Sequence, residues 1–361
     1  MWEQPPFSKL EEAILDPANA IGMRMRAAYF LKQSYVNDPA TQEKVVEVLS
    51  SGLLDERHGS LMRHEFAYVM GQLRDGRCCE TLEKILKDND DCSMVRHEAA
   101  EALAAIGAAR SREILEEVME NTKSNFPEVA ETCLLALNVM DWRLRGGHNN
   151  PEEKAPVGCA CMLNPYSSVD PAPPHPAHAN KSAEELGDVL CDAENSIFDR
   201  YRAMFSLRNR GGEDSVLQLC RTLISDNSSA LLRHEVAYVL GQLQHTASVS
   251  ALEESLRRKE EHQMVRHESA EALGAIDGSW EKVEAILKEF SKDENQVVRE
   301  SCLVALDAAD YWGHNINHGA ENEDDEEKKE APLSFVQLKG QPEDATKANQ
   351  QVLNRHFNVK K

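Results

Sequence analysis

Aromatic residues are scarce in this sequence: Phe, Tyr and Trp make up 6% of 361 residues, while hydrophobic residues make up 41%. A core drawn mainly from Ala, Leu and Val favours helices over a strand-rich fold. Long apolar runs are missing as well. The longest, around Ala102–Ala109, falls far short of the roughly 20 residues that a membrane span needs. The opening MWEQPPFSKLEE has no basic stretch followed by an apolar one, so no secretory signal is expected. The nine cysteines include no CxxC pair; with an odd count in a long chain they read as reduced thiols of a cytoplasmic protein, not as a disulfide framework or zinc site. Positive charge is in deficit: 40 Lys and Arg against 62 Asp and Glu give a net charge of −22. That balance argues against nucleic acid as a direct partner and favours one that carries cationic groups.

What the sequence has is duplication. LMRHEFAYVMGQL at 61–73 matches LLRHEVAYVLGQL at 231–243 at ten of thirteen positions. MVRHEAAEALAAI at 94–106 matches MVRHESAEALGAI at 264–276 at eleven of thirteen, with the same offset of 170. ETCLLAL at 131–137 pairs with ESCLVAL at 300–306, and RMRAAYFL at 24–31, more weakly, with RYRAMFSL at 200–207. A shorter period lies inside each half: His64 to His97 and His234 to His267 are both 33 residues apart. Each unit holds two helical patterns, such as about Arg77–Lys87 and Ser93–Ile106. A helix pair of that length cannot bury its apolar face alone and must stack on its neighbours. The expected fold is all-α: a solenoid of about eight HEAT-like helix pairs in two homologous halves.

Composition sets the boundaries. Seven of the fourteen prolines lie between Pro151 and Pro176, and ENEDDEEKKE at 321–330 opens a charged tail. The expected division is an N-terminal half at 1–145, a Pro-rich connector without a core of its own at 146–182, a C-terminal half at 183–318 and an acidic tail at 319–361. Cys159 and Cys161 in the connector are expected to have no chemical task.

Histidine followed by glutamate occurs four times, at His64–Glu65, His97–Glu98, His234–Glu235 and His267–Glu268, always in the equivalent slot of a unit. With Val95, Ala99, Ala102, Leu103 and Ile106 as the buried stripe, a helix turns His97 nearly opposite it and Glu98 a quarter-turn away. These side chains therefore line the concave, polar face of the stack, about 10 Å apart from unit to unit. Four confined carboxylates repel unless cations intervene, and two divalent ions balance them. The imidazole and carboxylate donors suit iron, manganese or zinc. If the two halves curl together, the eight side chains make a dinuclear centre. The arginines before each pair (Arg63, Arg96, Arg233, Arg266) are assigned to packing between units, because Arg26 and Arg202 stand in similar positions of units that lack His-Glu. Gly71 and Gly241 are read as close helix contacts, and Tyr68 and Tyr238 as packing in preference to a gate.

Four RHE segments, paired at 33 residues and duplicated at 170, resemble the deoxyhypusine hydroxylase family over about residues 10–318. The resemblance implies a dioxygen-dependent di-iron monooxygenase with two Fe(2+) ions per chain and an external electron donor. It would hydroxylate the deoxyhypusine side chain on a eukaryotic translation factor precursor to form hypusine. His64, His97 and Glu98 would hold one iron, and His234, His267 and Glu268 the other. Glu65 and Glu235 match the remaining motif carboxylates, as ligands or as contacts to the substrate amines. Two alternatives are a metal-free HEAT scaffold and a bilin lyase; neither needs four matched His-Glu pairs.

Overall fold

The computed structural model describes residues 5–147, 164–166, 168–276 and 278–317. Among these it has sixteen α-helices and no strand, arranged as eight pairs. The first four pairs are α1 (Phe7–Leu15) with α2 (Ile21–Asn37), α3 (Gln42–Leu54) with α4 (Gly59–Leu73), α5 (Cys79–Lys87) with α6 (Ser93–Ile106), and α7 (Arg112–Thr122) with α8 (Pro127–Leu144). The second four are α9 (Ala183–Cys191) with α10 (Ile197–Arg210), α11 (Gly212–Ser225) with α12 (Ala230–Leu243), α13 (Val249–Arg257) with α14 (Gln263–Gly274), and α15 (Trp280–Phe290) with α16 (Gln296–Asn317). Local chemistry fixes the ends. Gly107, at φ 72°, closes α6 in the left-handed conformation. Pro127 starts α8, and Ser182 and Glu185 form a reciprocal capping box on α9.

Odd-numbered helices lie outside and even-numbered ones inside. α5 buries four of its nine residues as one stripe, whereas α6 buries eleven of fourteen, charged ones included. The difference has a topological cause. Each even-numbered helix packs on the next, α8 packs on α10 and α12, and α16 returns to α2. The inner helices thus form a closed ring. An Arg26–Asp307 ion pair joins α16 to α2 at one seam. At the other, Ser229 Oγ donates to Glu131 at 2.6 Å, and His262 lies 3.7 Å from Glu128.

A ladder of arginines ties the units together. Nε of Arg63, Arg96, Arg200 and Arg266 donates to the carbonyl ten residues back, of Leu53, Leu86, Leu190 and Leu256, at the end of the preceding outer helix. The far nitrogens of Arg63 and Arg266 grip Asp91 and Asp293 of the next connection, and those of Arg233 grip Glu261. This register corrects one expectation. The units without His-Glu place Arg24 and Arg200, not Arg26 and Arg202, in the arginine slot; Arg26 and Arg202 stand where the others have glutamate. Gly71 is a close contact as expected, since a Cβ there would sit 2.8 Å from Ala102 Cα.

Part of the connector packs against the C-terminal half. Tyr166, Pro171, Ala172, Pro173, Pro174 and His178 are buried, and Arg202 Nε donates to Pro173 O at 3.0 Å. Cys159 and Cys161 and the tail from 319 fall outside the described residues. No helix among the described residues is long and apolar enough to cross a membrane.

Candidate metal centre

The four motifs sit in the second turns of α4, α6, α12 and α14, and ring closure turns them toward one another. The imidazoles of His64 and His97 lie 5.4 Å apart between centroids, those of His234 and His267 5.3 Å. Across the halves, His97 is 5.2 Å from His234 and His64 5.4 Å from His267. His64 Nε2 is 3.1 Å from a Glu98 oxygen, and its counterpart His234 Nε2 is 3.5 Å from Glu268. His97 does point away from the apolar stripe of its helix, yet it is 0% exposed. The concave face is polar but sealed, because the opposite half covers it.

Three groupings bring donor atoms within 4.8 Å of one another: His64, His97 and Glu98; His64, His234 and His267; and His267, Glu268 and Glu271. Glu65 and Glu235 belong to none of them; with Tyr68, Tyr238, Glu101 and Asp170 they line a cavity that His64, Glu98, His234, Glu268 and Glu271 also face. Both ring nitrogens of His97, His234 and His267 are buried without a hydrogen bond among the described residues. Each such orphan is destabilising by about 1–3 kcal/mol unless something binds it. Neutral imidazoles with paired carboxylates form a donor set that divalent transition metals satisfy, so the residues present fit a metal pair.

Electrostatics point the same way. Burial, then the neighbouring His234 and His64, holds His97 well below the usual histidine pKa. Burial and His64 push His234 down to about 3, and burial also lowers His267. These rings are neutral and ready to donate lone pairs. His64 differs: burial opposes its charge, but Glu98, Glu65 and Glu268 together hold its pKa above the usual value. Burial and then Glu268 raise Glu235, and burial and then Glu235 raise Glu101. A cation would relieve both.

Several residues at the centre escaped the sequence reading. Glu101 and Glu271 follow Glu98 and Glu268 by one turn on the same helix face and repeat at the 170 offset, so the duplicated AEAL carried the signal. Tyr68 and Tyr238, read as packing, meet across the halves with hydroxyls 3.3 Å apart. Lys32 and Arg208, in the same repeat slot, stand within electrostatic reach of Glu65 and Glu235. Asp170 comes from the connector, where no repeat marked it.

Comparison with known proteins agrees with this architecture. A family model described as HEAT repeats matches residues 46–138 and 227–307. Deoxyhypusine hydroxylase of Mus musculus is 42% identical over 264 residues, covering 73% of this chain and 79% of that protein. The Danio rerio enzyme of the same name is 46% identical over 221 residues, covering 61% of this chain and 67% of that one. A solved structure of human deoxyhypusine hydroxylase in complex with glycerol superposes with a TM-score of 0.72 at 40% identity, covering 83% of this chain and 94% of the human chain. With its ring of eight helix pairs and four converging His-Glu motifs, the chain belongs to the deoxyhypusine hydroxylase family of enzymes.

Proposed function

We propose that this chain hydroxylates the deoxyhypusine side chain of a eukaryotic translation factor precursor in the cytoplasm, using two Fe(2+) ions, dioxygen and an external electron donor. The observation that supports the reading is the convergence of four buried imidazoles, two from each half, three of which (His97, His234 and His267) have both ring nitrogens unsatisfied. His64, His97 and Glu98 would hold one ion, and His234, His267 and Glu268 the other. When bound, the iron pair supplies the activation of dioxygen needed to functionalise an unactivated C–H bond.

The chain's own residues do the rest. The closed ring excludes bulk water from the centre and so limits competing oxidation. Glu65 and Glu235, outside the ligand groupings and on the cavity wall, receive the cationic amines of the arm through charge-assisted hydrogen bonds. The neutral imidazoles are held for metal binding without competition from protons near neutral pH. The two halves, 1–145 and 183–318, each contribute one ligand set; the connector 146–182 and tail 319–361 lie outside it.

The test pairs activity with metal content. His97→Ala or Glu268→Ala abolishes hydroxylation and lowers iron while the helical circular dichroism persists. Glu65→Gln and Glu235→Gln keep their iron and lose affinity for substrate. Unchanged iron and turnover in both ligand variants would remove the assignment.

A further inference from the structure

The polar wall of the cavity is lined in large part by matched residues of the two halves: Glu65 and Glu235, Tyr68 and Tyr238, Glu101 and Glu271. Lys32 and Arg208 share a repeat slot behind it. An amine-bearing arm has two different ends, and a two-fold cavity gives it no reason to enter in one direction. One element breaks the symmetry. Ser168, Val169, Asp170 and Pro171 of the connector line the cavity on the side of the C-terminal half, and the connector has no duplicate.

Its key contact is between Asp170 and Arg208. Arg208 Nη1 and Nη2 donate to the two Asp170 oxygens at 2.8 and 2.6 Å, a bidentate pair with side-chain exposures of 0% for Arg208 and 11% for Asp170. The carboxylate is itself fixed by Ser168 Oγ at 2.8 Å and Asn164 Nδ2 at 2.9 Å. Asn209 and Gln242 accept further hydrogen bonds from the guanidinium. It lies over the rings of Phe205 and Tyr166, with centroids 4.6 and 4.8 Å away. Every hydrogen-bonding direction of Arg208 is thus turned from Glu235, although the two stand within electrostatic reach. Glu235 and Glu101 accept no hydrogen bond and form no ion pair with another described residue. On the other half, Lys32 stands within electrostatic reach of Glu65.

We propose that Asp170 is a positioning residue for the hydroxylation: by holding Arg208 off Glu235 it keeps that carboxylate open to a substrate amine and gives the cavity a single direction. Without the latch, Arg208 swings to Glu235 and occupies the place of the amine. The inference deepens the function proposed above and rests on its amine-bearing substrate.

The test uses the purified full-length chain with its metal. Spermidine binding is measured by calorimetry, KM and kcat on the protein substrate, and iron by elemental analysis. Asp170→Ala weakens spermidine binding and raises KM by roughly tenfold or more, the scale of one charge-assisted hydrogen bond, while kcat and iron stay at parental values. Adding Arg208→Met removes the released cation from its aromatic slot with little change in volume, and the double variant regains most of the lost affinity. Asp170→Asn, which keeps the shape, guards against a folding defect and shows an intermediate loss. Parental affinity and KM in Asp170→Ala would overturn the proposal, and so would a double variant as weak as the single one, since Asp170 would then act only by shaping the connector. Spermidine affinity is read whether or not the parent chain hydroxylates, so failure of the latch and failure of the enzymatic reading give different results.

Discussion

Removing the Arg63 guanidinium while leaving Asp91 in place strands a carboxylate that is 9% exposed, beside a Leu53 carbonyl that loses its donor. Breaking one side of such a buried pair costs about 3–5 kcal/mol. Arg63→Ala therefore lowers stability by that order in urea unfolding, and a loss below about 1 kcal/mol would place the pair among ordinary surface contacts. His178 provides a pH test away from the metal centre. Burial, then His175 and Arg202, pushes its pKa down from the usual 6.5 to about 4, and its Nδ1 lies 2.8 Å from Ser206 Oγ. Between those values the unfolded chain binds more protons than the folded one. The contribution is therefore present above 6.5 and is lost as pH falls toward 4. Replacing His178 with Asn flattens the decline of Tm across this window; parallel profiles for both proteins would contradict the assignment.

At the scale of helices, a glycine makes one close backbone approach possible. A side chain at Gly71 meets the backbone of α6 at Ala102, 2.8 Å from where its Cβ would lie, and backbone cannot rotate away. Gly71→Val destabilises by about 1–3 kcal/mol through overpacking, measured by thermal unfolding; a neutral result would mean that α4 and α6 slide freely. The 33-residue period made the helix pairs legible because each inner helix repeats the same apolar stripe, and Ser93–Ile106 is the span of α6. Its partner begins at Cys79 rather than Arg77, because Gly76–Cys78 is a separate turn capped by the Asp75 side chain. The arginine register was less legible. Arg24 and Arg26, and Arg200 and Arg202, are alternating arginines; the hydrogen bond to the carbonyl ten residues back identifies Arg200 as the one that follows the repeat, whereas Arg24, in the aligned slot, donates to Asn19 O instead.

Closure of the ring is the property of the whole molecule that periodicity does not encode. A repeat reports which residues recur on a face; the curvature that brings α16 back to α2 is a sum of small rotations between neighbours. The histidines could therefore be placed on the concave face from the sequence, but not their complete burial, nor the contact of Tyr68 with Tyr238 across the halves. Asp170 was hidden for a different reason, since a unique segment leaves no duplicate to align. Closure turns two half-sites into one cluster of four imidazoles and their glutamates, which in the proposed reading two divalent ions would balance. Ferrous ion titration of the metal-free chain under anaerobic conditions tests this most directly. The account predicts saturation at two ions per chain, falling to one or fewer when His97 is replaced by Ala; a parent chain that binds no ferrous ion would contradict it.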